Sequence, residues 1–82
     1  MGKHSPRRAR IVLYDVAREQ IETMSTAGLD RLEPVLDTIA DDPSVGAPLK
    51  HGSMREYRHG GVRCLFVPTT LGTLVLVAYV EA

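Results

Sequence analysis

The chain has 82 residues, enough for one domain with one modest core. Ten basic and ten acidic side chains cancel to a formal net charge of zero, and the 44% apolar content is ordinary for a globular protein, so composition argues against a disordered or fibrous chain. The longest apolar stretch, Leu74 to Val80, has strand length and falls far short of the roughly 20 residues that span a bilayer, so no membrane partner is expected.

Residues 1–7 read as a flexible basic N-terminus, with residues 8–82 as the single domain. Lys3, Arg7, Arg8 and Arg10 fall in the first ten positions without an acid, and such a segment adds non-specific attraction to nucleic acid. This end also lacks the apolar core of a signal peptide. Arg8–Tyr14 alternates weakly and predicts a strand. Asp15 then serves as an N-cap, and Val16, Ala17, Ile21 and Met24 recur at helical spacing, with Gly28 as the stop. Leu32, Val35, Leu36, Ile39 and Ala40 form the apolar face of a second helix. Asp30 with Glu33 resembles a capping box for it, and Pro34 sits awkwardly in that register. Asp41-Asp42-Pro43 ends the helix.

Residues 11–42 are acidic, with only Arg18 and Arg31 as cations. From 43 to 63 the balance reverses: Lys50, Arg55, Arg58 and Arg63 face Glu56 alone. Overall neutrality is therefore compatible with a basic patch on one face. Residues 43–52 read as a loop. Three strands follow, about 53–59, 62–68 and 73–80, the first two joined by a Gly60-Gly61 hairpin turn. The predicted fold class is α+β in the order β-α-α-β-β-β: a four-stranded, mostly antiparallel twisted sheet with two helices packed on one face. Ile21, Met24, Leu32, Leu36 and Ile39 are expected to meet Leu65, Phe66, Val75 or Val77, leaving the other sheet face open.

The candidate site lies on the predicted meander. Arginine carries a permanent charge and a planar fork suited to phosphate. In a strand, Arg55, Tyr57 and His59 share one side while Met54, Glu56 and Arg58 share the other, and Arg63 emerges at the hairpin mouth. Which sides pair across the hairpin depends on turn register, which the sequence leaves open. Arg55, Arg58 and Arg63 equally suit solvated strand positions paired with Glu56 or helix acids. Tyr57 suits base stacking or the edge of the core, and Lys50, His51 and His59 suit phosphate contacts or proton transfer. No zinc-ligand spacing, phosphate loop, dinucleotide fingerprint or serine triad is present, so neither metal nor cofactor is expected. Cys64 alternates with Val62 and Phe66, as a buried structural cysteine would. As the single cysteine it fits a reducing, cytoplasmic setting.

From about Arg8 to Val80 the chain resembles the RelE/ParE toxin superfamily of bacterial toxin–antitoxin systems. The features that carry the likeness come in order: a strand, two helices, Asp42-Pro43, a loop to Pro48-Leu49-Lys50, the run Arg55-Glu-Tyr-Arg58, the run Gly61-Val-Arg-Cys-Leu-Phe66, and a closing apolar strand. The RelE branch consists of metal-independent, ribosome-dependent mRNA endonucleases. The resemblance therefore implies a catalytic group of Arg63, Arg58, Arg55 and Tyr57, with Arg63 on the scissile phosphate. It implies RNA contacts from Lys50, His51, His59, Arg8 and Arg10. The implied partners are a cognate antitoxin that covers the active face and mRNA on the ribosome, with the protein a monomer or part of a toxin–antitoxin hetero-oligomer. RelE-type nucleases commonly carry basic and aromatic residues at the end of the last strand, where this sequence has Val80-Glu81-Ala82. The resemblance thus implies a phosphate-clamping half-site without its proton-transfer half. It leaves open a non-catalytic, decayed member of the fold, or a ParE-like gyrase inhibitor acting by protein binding.

Overall fold

The computed structural model describes residues 8–50, 52–69 and 71–82. The expected flexible segment 1–7 and the candidate His51 lie outside the described residues. Strand β1 (Arg10–Leu13) leads into α1 (Asp15–Glu22) and α2 (Thr26–Asp41). Then follow β2 (Ala47–Pro48), β3 (Arg55–His59), β4 (Val62–Pro68) and β5 (Leu74–Glu81). They form one five-stranded sheet in the order β1-β5-β4-β3-β2. β1 runs parallel to β5, and every other pair is antiparallel. Among the described residues, no helix is long and apolar enough to cross a membrane.

The fifth strand corrects the four-strand expectation. Ala47 and Pro48 lie opposite Glu56 and Arg55, inside the stretch expected to be loop. Two residues carry no readable alternation, and proline is tolerated there because the strand is at the sheet edge. Gly46 permits the approach: its φ is +83°, and a Cβ there would sit 2.2 Å from the Glu56 carbonyl oxygen. The β3–β4 hairpin turns on Gly60 (φ +59°) and Gly61 (φ +83°), the left-handed pair that a two-residue turn between twisted strands requires.

The helix boundaries also move. Tyr14, not Asp15, occupies the N-cap of α1, and α1 ends at Glu22, a turn earlier than expected. The Gly28 stop does not occur; Gly28 lies in the first turn of α2. Its N–H donates to Ser25 Oγ at 3.0 Å, so Ser25 is the cap of α2 and the Asp30/Glu33 pair falls inside the helix. Replacing Ser25 with alanine orphans that half-buried donor and should cost about 1 kcal/mol, read as a lower urea midpoint at unchanged slope. Pro34 sits inside α2, where its carbonyl accepts from Thr38 Oγ1 at 2.9 Å.

Both helices cover one face of the sheet. Ala17 of α1 and Leu32, Val35 and Ile39 of α2 share a buried cluster with Val62, Cys64 and Phe66 of β4 and Val75, Val77 and Val80 of β5. Leu65, expected among these, alternates to the uncovered face beside Tyr79. Between Leu65 and Phe66 the β4–β5 register slips: Phe66 lies opposite Val77 but Leu65 opposite Tyr79, leaving Ala78 as an extra residue. This bulge reverses the alternation of β5. Val75 and Val77 face the core, Val80 then takes up the core face, and Tyr79 and Glu81 turn outward. The Val80 N–H donates to Gln20 Oε1 of α1 at 2.9 Å.

Candidate functional site

Register decides which of the arginines meet. Arg58 lies directly opposite Arg63 across the β3–β4 hairpin, and Arg63 lies opposite Glu81 on β5. These residues, with Glu56 and Tyr79, gather at one end of the sheet on the face away from the helices. Like charges directly opposite each other oppose pairing. Glu56 offsets this: its Oε2 accepts from Arg58 Nε at 3.1 Å and also from Arg63 Nε. The bond from Arg63, then that from Arg58, holds the Glu56 carboxyl below the ordinary carboxylate range, while Glu56 in turn raises the Arg63 guanidinium.

The ladder continues across β5. The Arg63 guanidinium carbon stands 5.8 Å from the centre of the Tyr79 ring, within cation–π range. Tyr79 donates its hydroxyl to Glu81 Oε2 at 2.9 Å, which lifts the phenol above its usual pKa. Glu81 Oε1 lies 3.8 Å from an Arg63 terminal nitrogen. Two guanidinium groups and two carboxylates therefore alternate across three strands. An open cleft of about 520 Å³ runs beside them, lined by Arg58, His59, the Gly60-Gly61 turn, Arg63 and Glu81.

The remaining sequence candidates separate from this cluster. Arg55 and Tyr57 lie opposite Phe66 and Cys64, so alternation sends them to the helix-covered side. Arg55 spends its guanidinium on three loop carbonyls, those of Ser44 (2.6 Å), Gly46 (3.0 Å) and Val45 (3.2 Å). It fastens the approach to β2 rather than joining Arg58 and Arg63. Tyr57 packs against the core, and its ring stacks on His59 with centroids 6.2 Å apart. The expected four-residue group of Arg63, Arg58, Arg55 and Tyr57 is thus divided between two faces. Arg8 is committed to α2, pairing with Asp37 and Asp41 at 2.7 Å each. Arg10 is exposed on β1 opposite Leu74, at the other end of β5 from Glu81. Lys50 is exposed in the loop after β2.

The arrangement is suited to holding an anion. Two forks of permanent charge face water side by side, with the Arg58 side chain 70% exposed and that of Arg63 34%. Glu56, held ionised, is a weak base near neutrality, because a general base works best with a pKa near the operating pH. His59, the only histidine among the described residues, borders the cleft at the hairpin end, but its ring stacks on Tyr57 on the other side of β3, so this expected RNA contact does not join Arg58 and Arg63. Among the described residues no three His, Cys, Asp or Glu side chains converge as a metal cage. Cys64 is fully buried, and burial pushes its thiol up to about 12, so it is no nucleophile. Iodoacetamide should leave native protein unlabelled and modify Cys64 only after unfolding, which mass spectrometry checks. Labelling at the rate of a free thiol would contradict the packing of β4.

Sequence reasoning had weighed Glu56 as an arginine partner but missed Tyr79 and Glu81 as neighbours of Arg63. Only the β5 bulge brings them there, and no residue pattern announces it.

No family model matches the sequence, and no curated protein matches it. The three-dimensional structure does find a likeness. A chain in the crystal structure of the toxin–antitoxin complex RelBE2 from Mycobacterium tuberculosis matches it with a TM-score of 0.73 at 20% identity, over 90% of this chain and 96% of that one. At that identity the likeness is one of fold, and it is the fold that the resemblance to the RelE/ParE superfamily implies.

Proposed function

We propose that this protein is the toxin of a toxin–antitoxin pair, a RelE-like endoribonuclease that contacts an RNA phosphodiester through Arg58 and Arg63. What supports the reading most is the combination of that fold with two guanidinium groups side by side on the uncovered sheet face. Cleavage without a metal proceeds when the ribose 2′-hydroxyl attacks the adjacent phosphorus and expels the 5′-oxygen, leaving a cyclic phosphate and a 5′-hydroxyl. Arg63 and Arg58 neutralise the charge that grows on the non-bridging oxygens. Water takes the 2′-hydroxyl proton and returns one to the departing 5′-oxygen, since His59 stacks on Tyr57 on the other side of β3. The same exposed face suits a protein antitoxin, which would silence the toxin by covering it. The target RNA in this reading is mRNA on the ribosome.

One observation favours a second reading, a non-catalytic binder on the same scaffold. Both guanidinium groups are already matched by Glu56 and Glu81. Induced expression in a bacterial host separates the readings. Growth arrest with new 5′ ends within mRNA is the expected result. Arrest with DNA-damage signalling and intact mRNA would transfer the target to gyrase, and no arrest would leave the binder.

A further inference from the structure

We propose that Glu56 sets the anion affinity of the Arg58–Arg63 pair: in the free protein its carboxylate occupies both guanidinium groups as an internal stand-in for a phosphodiester, and an incoming phosphate displaces it. The inference rests on the reading that this pair is the phosphate contact.

The geometry singles out Glu56. A guanidinium group presents two edges to an oxyanion, one through Nε and one through the two terminal nitrogens. On both Arg58 and Arg63, Nε is taken by the same oxygen, Glu56 Oε2. Arg63 is engaged from a second side, since Glu81 stands 3.8 Å from one of its terminal nitrogens. A phosphate approaching Arg63 therefore meets a group whose charge is already matched. An acid serving only to orient the two cations would leave the pair a net positive charge. Here Glu56 and Glu81 together cancel it.

Displacement is feasible because Glu56 is no part of the core. Its side chain keeps 21% of its surface in water, on the uncovered face, so a rotated carboxylate is rehydrated rather than stranded. Phosphate affinity follows the number of cations free to replace counterions. Removing the carboxylate charge at 56 converts a neutral cluster into a cationic one at the cleft beside the Gly60-Gly61 turn.

The test measures binding rather than turnover. Full-length wild type, Glu56→Gln, Arg63→Ala and the double variant are titrated with two probes: a fluorescein-labelled single-stranded RNA carrying 2′-O-methyl groups, which cannot be cleaved, and inorganic pyrophosphate. Glutamine keeps an oxygen that accepts from Nε, so the thermal midpoint serves as the control for folding. Glu56→Gln is expected to bind both probes about tenfold more tightly, with a salt slope steeper by about 0.7 for the RNA. The gain should vanish when Arg63 is also alanine. Should Glu56→Gln fail to fold, Glu81→Gln takes its place, with a smaller gain of the same sign. Unchanged or weaker binding of both probes by a folded variant overturns the proposal. Tighter pyrophosphate binding with no RNA binding by any variant upholds the role of Glu56 and removes RNA as the ligand.

Discussion

Replacing Arg63 with alanine is expected to abolish growth arrest and to slow mRNA cleavage in a translating extract by about 100- to 1,000-fold, the usual cost of deleting a preorganised donor to a developing oxyanion. The fold should survive. Arg63 lies on the uncovered face with a third of its side chain in water, and Glu56 keeps Arg58 as a partner when Arg63 is gone. Arg63→Lys should recover only part of the rate, because the ammonium retains the charge and loses the planar fork. The circular dichroism spectrum and thermal midpoint of each variant provide the control. Full activity in folded Arg63→Ala would remove the residue from the proposed chemistry and shift weight to the non-catalytic reading.

The largest effect on stability is expected at Phe66. It is fully buried in β4, opposite Val77 of β5, and belongs to the cluster that joins both helices to β4 and β5. Phe66→Ala should cost about 3–5 kcal/mol through lost transfer energy and the cavity left behind. A domain of this length has a total stability of only about 4–12 kcal/mol, at roughly 0.05–0.15 kcal/mol per residue. The variant should therefore lose at least about a quarter of its stability in urea denaturation, and nearly all of it if the wild type sits at the low end of that range. Leu65→Ala, one residue away but turned to the uncovered face, should cost far less. Equal losses at 65 and 66 would contradict the strand alternation on which the site assignment depends.

The same alternation explains how much of the molecule was readable in advance. The second helix was legible because Leu32, Val35, Leu36 and Ile39 repeat at the helical period, and burial against a sheet demands that period. The β3–β4 hairpin was legible because two adjacent glycines meet the backbone requirement of its turn. Strand β2 was not legible, since two residues have no period. The cap of α2 was misplaced because Asp30/Glu33 and Ser25 offer competing local signals, and the side-chain bond from Ser25 to Gly28 won. The candidate site was half legible. The arginines stood out by type, but their faces depended on pairing.

What the sequence by itself determined is the order of the two helices and of four of the five strands, and the presence of Arg58 and Arg63 on adjacent β segments. These follow from local periods and turn chemistry that each segment carries within itself. What only the tertiary structure decided is the company those arginines keep. The β3–β4 register put Arg55 and Tyr57 on the helix side and Arg58 and Glu56 beside Arg63. The bulge at Ala78 brought Tyr79 and Glu81 to the same place. The physical reason is the two-residue period of a strand: a shift of one residue exchanges its faces, and register is set by packing against distant parts of the chain.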